Sequence, residues 1–157
     1  MMTEQQRFLH ELRTKKGAPA AGEVESTEHT GYAYITNNWG IDIATVTIRH
    51  RRGNDPTKEE SASYSVLRNG AKTPSPLSFT YETGLFSSYD YWWVSFLTAD
   101  AKSYNIKDNF YCSVSSDDDG NVQFSLDGGG QEVNVSFSSS GGCTVSTIYL
   151  GPICPCS

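Results

Sequence analysis

The chain has no long hydrophobic run: nowhere in its 157 residues do roughly 18 consecutive apolar residues occur, the length needed to cross a bilayer as a helix. That excludes a helical membrane span from the reading. Basic residues are also scarce. Lys and Arg number 12 against 18 Asp and Glu, for a net charge of −6, and an acidic chain has no general affinity for a phosphate backbone. Nucleic acid is therefore not an expected partner. The first residues, MMTEQQRFLHELRTKK, lack the apolar run of a signal peptide, so the cytoplasm is the expected location. Cysteine is limited to Cys112, Cys143, Cys154 and Cys156. In a reducing compartment these read as free thiols. The tail GPICPCS holds a Cys-x-Cys pair, but four-ligand zinc sites usually draw on two separated pairs, and Cys112 and Cys143 supply no second one. Neither a metal nor a cofactor is expected.

What is present is enough apolar and aromatic surface, 37% and 12% of residues, for a single core in a chain of this length. Thr3 followed by Gln6 fits a helix-capping box, Phe8, Leu9 and Leu12 fall on one helical side, and Lys15, Lys16 and Gly17 supply a stop. A helix over residues 3–16 is expected. GAPAAGEVESTEHT then lacks any apolar period and reads as a flexible linker. The expected organisation is a helix and linker over 1–31, a folded domain over 32–150, and a Cys/Pro tail over 151–157.

From Tyr32 onward the helical period gives way to short β-branched and aromatic runs separated by turn residues. In IDIATVTIRH, Ile41 and Ile43 share one phase while Ala44, Val46 and Ile48 share the other. Such a slip predicts a bulge near Ile43. Asn69-Gly70 after ASYSVL suits a tight hairpin, and Pro74 and Pro76 mark an irregular lead into LSFTYE. Later, Phe110, Cys112 and Val114 alternate with other residues, as do Val122, Phe124 and Leu126, then Val133, Val135 and Phe137. One apolar and one polar face per strand is the pattern of antiparallel sheets wet on the outside. About eight strands at this spacing predict an all-β, antiparallel β-sandwich.

The densest aromatic run is TGLFSSYDYWWVSF, residues 83–96. As a strand it places Trp92, Val94 and Phe96 on one face, expected in the core, and Tyr91, Trp93, Ser95 and Leu97 on the other. Together with YITNNWG, IATVTIRH ending in His50, and NFYC, this run resembles the "up-regulated in Daf-two" domain family over residues 34–112. Tyr81, Thr83, Gly84, Asp90 and Trp92 match that family's pattern. Tyr91 stands where its first tryptophan is usual, Trp93 replaces an aliphatic residue, and Phe96 takes a tryptophan's place. The resemblance implies a β-sandwich, in small proteins without an assigned function, and implies no reaction.

Catalytic chemistry finds little support. His50 is the one histidine after Tyr32 and precedes Arg51 and Arg52; with Asp90 and one of many serines it could mimic a triad, but it reads better as a strand-end residue at a basic turn. Glu59 and Glu60 adjoin and read as solvated charge. Asp117, Asp118, Asp119 and Asn121 suggest calcium, yet an EF-hand loop counted from Asp117 would have Val122 at its glycine position and Gly128 at its glutamate position. An acidic hairpin turn is the expected account. Asn134-Val135-Ser136 is a glycosylation sequon in form only, given the expected location.

Binding is the class that the residues favour. Amphipathic rings suit sugars and lipid head groups, and the candidates are Trp39, Phe86, Tyr89, Tyr91 and Trp93. The expectation is thus a non-enzymatic domain adsorbing to a lipid or glycan surface, with zwitterionic lipids preferred by so acidic a chain. The alternative is a stress-associated module that binds a protein partner through the N-terminal helix or an edge strand.

Overall fold

Alternation decides which residues face inward. In the computed structural model, Ile43, Val46 and Ile48 are buried on one strand, Trp92, Val94 and Phe96 on another, and Val122, Phe124 and Leu126 on a third. The structure describes Gln5 and residues 26–153. The expected helix over 3–16, Gln5 apart, and the tail cysteines Cys154 and Cys156 lie outside the described residues.

Eleven strands account for most of the described chain. They are β1 (Thr27–Asn38), β2 (Ile43–Arg52), β3 (Glu59–Leu67), β4 (Leu77–Thr83), β5 (Asp90–Thr98), β6 (Lys102–Asn105), β7 (Phe110–Tyr111), β8 (Asn121–Asp127), β9 (Glu132–Ser136), β10 (Cys143–Ser146) and β11 (Ile148–Pro152). A first sheet has the order β10-β9-β8-β1-β4 and a second the order β11-β6-β5-β2-β3, with β7 pairing on β5. Rings from the two sheets meet in one core: Trp92 of β5 lies 4.9 Å from both Phe79 of β4 and Phe124 of β8, edge to face each time. Burial of rings this size contributes roughly 1.5–3 kcal/mol each.

Several local expectations are met. The register of β2 on β5 shifts between Ile43 and Thr45, which is the bulge implied by the slipped apolar phase. β4 begins directly after Pro74 and Pro76, at Leu77. Others are corrected. Residues 27–30, read as linker, form the start of β1, because β4 supplies a register partner for each of them from Thr83 back to Thr80. β1 and β8 run parallel, since β8 reaches the first sheet by a connection from β7 in the second. Asn69-Gly70 is likewise no hairpin: β3 and β4 belong to different sheets, and Gly70, at φ 83°, donates its N–H to Asn37 at 2.7 Å at the start of the crossing. CTVSTIYL is two strands rather than one. Thr147 marks the change of sheet, its N–H and hydroxyl both donating to the Gln131 carbonyl at 2.9 and 2.8 Å.

The cysteines are the largest departure. Cys112, just past β7, and Cys143 on β10 form a disulfide, so the expectation of free thiols fails for this pair. The bond ties a segment of the second sheet to an edge strand of the first. No spacing rule pointed to it, because the pair is 31 residues apart and the two half-cystines meet only once the sheets stack.

Candidate functional site

Side chains on the inner face of β2 alternate with the outward Arg49 and Arg51, which places His50 in the core at zero exposure. Its Nδ1 lies 2.7 Å from Glu60 Oε1 on β3, and its Nε2 lies 2.7 Å from Asp90 Oδ1 on β5. A ring between two carboxylates donates from both nitrogens only as the imidazolium. Burial opposes that charge, but hydrogen bonds and charges of Asp90 and Glu60 outweigh it and raise the pKa of His50 above 6.5. The Phe79 and Trp92 rings, each 4.7 Å from the imidazole, cover the buried histidine ring.

The two carboxylates are fastened in turn. Glu60 Oε2 accepts the Thr80 N–H of β4 at 2.6 Å, so a side chain of one sheet satisfies a backbone donor at the edge of the other. Asp90 Oδ2 accepts the Val114 N–H at 2.9 Å. This arrangement corrects two expectations. His50 is a buried hub between two carboxylates rather than a strand-end residue at a basic turn, and neither ring nitrogen is left for a serine. Glu59 and Glu60 are separated by alternation: Glu59 faces out and accepts from Arg51 Nε at 2.9 Å, while Glu60 turns inward.

The outward face of β5 carries the second constellation. Cross-strand register sets Arg51 of β2, Tyr91 of β5 and Tyr111 of β7 in one row, and Arg49 beside Trp93 in the next. Tyr89, 57% exposed, meets Tyr111, 51% exposed, edge to face at 5.4 Å, and Tyr91 meets Tyr111 at 5.8 Å. Three phenols thus form one surface patch. Arg51 flanks it and donates from Nε to Glu59 at 2.9 Å. Arg49 lies over Trp93, 5.3 Å from the ring centroid, and also bonds Asp108. Leu85, 43% exposed, stands in the same β4–β5 loop as Phe86.

The five candidate binding residues therefore divide. Tyr89 and Tyr91 come together, with Trp93 adjacent on the same face. Phe86 is partly buried and sits in the loop at φ 65°. Trp39 does not join them. It packs edge to face on Phe96 at 4.9 Å and on Tyr104 at 4.8 Å, five residues along β5 from Tyr91, or roughly 17 Å at the rise of a strand. Tyr111 was missed from sequence because its own strand, β7, is only two residues long and its pairing beside Tyr91 on β5 leaves no local signal. Arg51 and Arg52 were seen as a basic turn, whereas both lie within β2.

Among the described residues no group of three or more candidate metal ligands converges, in the acidic segment or elsewhere. Asp118 instead accepts from Ser115, Ser139 and Ser140, the backbone N–H bonds of the last two both being 2.8 Å. Burial works against its charge, yet bonds from Ser140, Ser115 and Ser139 hold the carboxyl well below the usual range. The expected hairpin turn is thus a loop between sheets, stapled by one aspartate to the β9–β10 connection. A third surface feature is edge strand β11, where Ile148, Tyr149, Leu150 and neighbouring Ile153 are 46–55% exposed.

Among the described residues, no helix is long and apolar enough to cross a membrane. The chain matches no family profile, and no curated protein is significantly similar to it.

Proposed function

We propose that the protein is a non-enzymatic binding module that adsorbs to a lipid or glycan surface through the patch of Tyr89, Tyr91 and Tyr111, with Trp93 and the Leu85–Phe86 loop at its margin. The observation that carries this reading is the contact among three tyrosines, two of them more than half exposed, on a face whose opposite side is sealed core. Phenols at a wet surface present a ring to pack and a hydroxyl to bond, which suits sugars and the head-group layer of a bilayer. Charge complementarity in so acidic a chain favours zwitterionic over anionic lipids. The Cys112–Cys143 disulfide supports an oxidising compartment as the place of action, rather than the cytoplasm expected from sequence. The resemblance to the "up-regulated in Daf-two" family is compatible with this reading and adds no ligand to it.

The test is capture of the protein by vesicles of phosphatidylcholine, sphingomyelin and cholesterol, with and without anionic lipid, beside a glycan array. Capture on either platform that Tyr89→Ala/Tyr111→Ala removes is the expected result. Silence on both refutes the surface-binding reading.

A second reading rests on β11. From Val133 to Ser157 no residue is charged, so this edge lacks the lysines that usually guard exposed strands. A partner protein that adds a strand here would cover Ile148 and Leu150. Loss of a partner on Leu150→Lys would support it; loss of that partner on removal of residues 1–25 would favour the N-terminal segment instead.

A further inference from the structure

The residue that joins the buried charge cluster to the exposed patch is Asp90. It lies between Tyr89 and Tyr91 in the chain, and its backbone and side chain are all committed. Its N–H donates to Ser113 Oγ at 2.9 Å, its carbonyl accepts the Cys112 N–H at 3.1 Å, and its Oδ2 accepts the Val114 N–H at 2.9 Å. Those three partners are residues 112–114, which directly follow Tyr111. One aspartate therefore clamps the segment carrying the third tyrosine against the strand carrying the other two. The Trp92 indole adds a bond to the Cys112 carbonyl at 2.8 Å, and the Tyr89 carbonyl accepts the Gly53 N–H at 2.7 Å. The remaining oxygen of Asp90, Oδ1, lies 2.7 Å from His50 Nε2.

We propose that His50 is the positioning residue of the tyrosine patch: its charged ring neutralises Asp90 in the core, and the Tyr89–Tyr91 corner stays docked on Tyr111 only while that charge is present. Loss of the proton leaves the neutral ring able to donate to one carboxylate only; where Glu60 keeps that bond, Asp90, its side chain 1% exposed, holds a buried charge without its histidine donor. The clamp then loosens where Asp90 meets residues 112–114. The binding consequence rests on the function proposed above; the coupling between His50 and the patch does not.

The sign follows from the direction of the shift. The His50 pKa is raised, so the contact is complete below the ordinary histidine range and is lost as pH climbs through the raised value. Other charged groups facing the cluster do not replace it. From β3 there is Glu60, and from β5 Asp90 itself. On β2, Arg52 is committed to Glu28 of β1 at 2.8 Å and to Glu82 of β4 at 3.5 Å. Tyr81 of β4 is pushed up by burial and then by Asp118, Asp119 and Asp90, and so stays neutral across the window.

The experiment uses the full chain with carbon-13 in its tyrosine and histidine rings. Ring resonances are followed by NMR between about pH 6 and 9, below the ordinary tyrosine range. The expected result is that Tyr89, Tyr91 and Tyr111 shift together at the midpoint of the His50 ring, while Tyr34 and Tyr149, remote from the cluster, do not move there. In His50→Gln the step disappears; should that variant not fold, the wild-type titration decides alone. Patch resonances that stay flat through the His50 midpoint overturn the proposal. So does an equal shift of all five tyrosines, which marks a global change instead of a local clamp. In parallel, capture by vesicles of phosphatidylcholine, sphingomyelin and cholesterol is expected to fall about tenfold per pH unit above the midpoint. Vesicles that never capture the protein refute the lipid form of the function while the resonances still decide the coupling; capture that ignores pH while the patch moves refutes the patch as the binding site.

Discussion

Replacing His50 by leucine removes both donors of the buried cluster while keeping apolar volume against Phe79 and Trp92. The cost follows from the contacts. Two hydrogen bonds of 2.7 Å to carboxylates are lost, and bonds to charged groups contribute about 1.5–3 kcal/mol each. Asp90, whose side chain is 1% exposed, then keeps a charge with no counterion, whereas Glu60, at 27%, gains some water. Breaking a buried pair by deleting one partner costs about 3–5 kcal/mol, which agrees with the sum of the bonds. Urea unfolding at neutral pH, followed by tryptophan emission, should show a midpoint about 2 M lower for a domain of this size. His50→Gln, retaining one donor, should fall between leucine and wild type. A leucine variant within about 1 kcal/mol of wild type would mean instead that the carboxylates are solvated or neutral already, and that His50 holds no buried charge.

Other consequences are independent of that cluster. Cys112→Ala/Cys143→Ala opens a loop of 31 residues, for an expected loss of about 3–4 kcal/mol from chain entropy, measured by the same unfolding curves with and without reductant. Gly128→Ala would set a Cβ 1.8 Å from the Trp39 carbonyl oxygen, so a backbone shift costing about 1–3 kcal/mol is expected, with binding through the distant tyrosine patch retained. The depressed pKa of Asp118 contributes stability that is present above the ordinary carboxylate range and lost as pH falls through its folded value. Asp118→Asn should therefore be less stable at neutral pH and show a flatter acid limb in a pH series of thermal melts.

Much of this fold is legible in the chain because alternation is a local signal. The inward sets on β2, β5 and β8 can be read residue by residue, and even the bulge at the start of β2 shows as a slipped phase. The partners of each strand cannot be read this way. Asn69-Gly70 has hairpin chemistry, but the chain leaves the sheet there, and CTVSTIYL has one strand's periodicity although its halves belong to different sheets. The site divides along the same line. Tyr89, Tyr91 and Trp93 stand out by aromatic density, whereas Trp39, half-buried against Phe96 and Tyr104, packs on the core's margin elsewhere. Tyr111 and the charge cluster depend on contacts spanning β2, β3, β5 and β7. His50, Glu60 and Asp90 are 10 and 40 residues apart, and no short-range pattern relates them.

The proposed recognition surface is the tyrosine patch and not the apolar edge at β11. The most direct test compares Tyr89→Ala/Tyr111→Ala with Tyr149→Ala/Leu150→Ala, both checked for unchanged melting, in one capture assay over the vesicle panel and the glycan array. The first pair should abolish capture and the second leave it intact. Capture that survives the first pair and disappears with the second would contradict this assignment and move the binding surface to the edge strand.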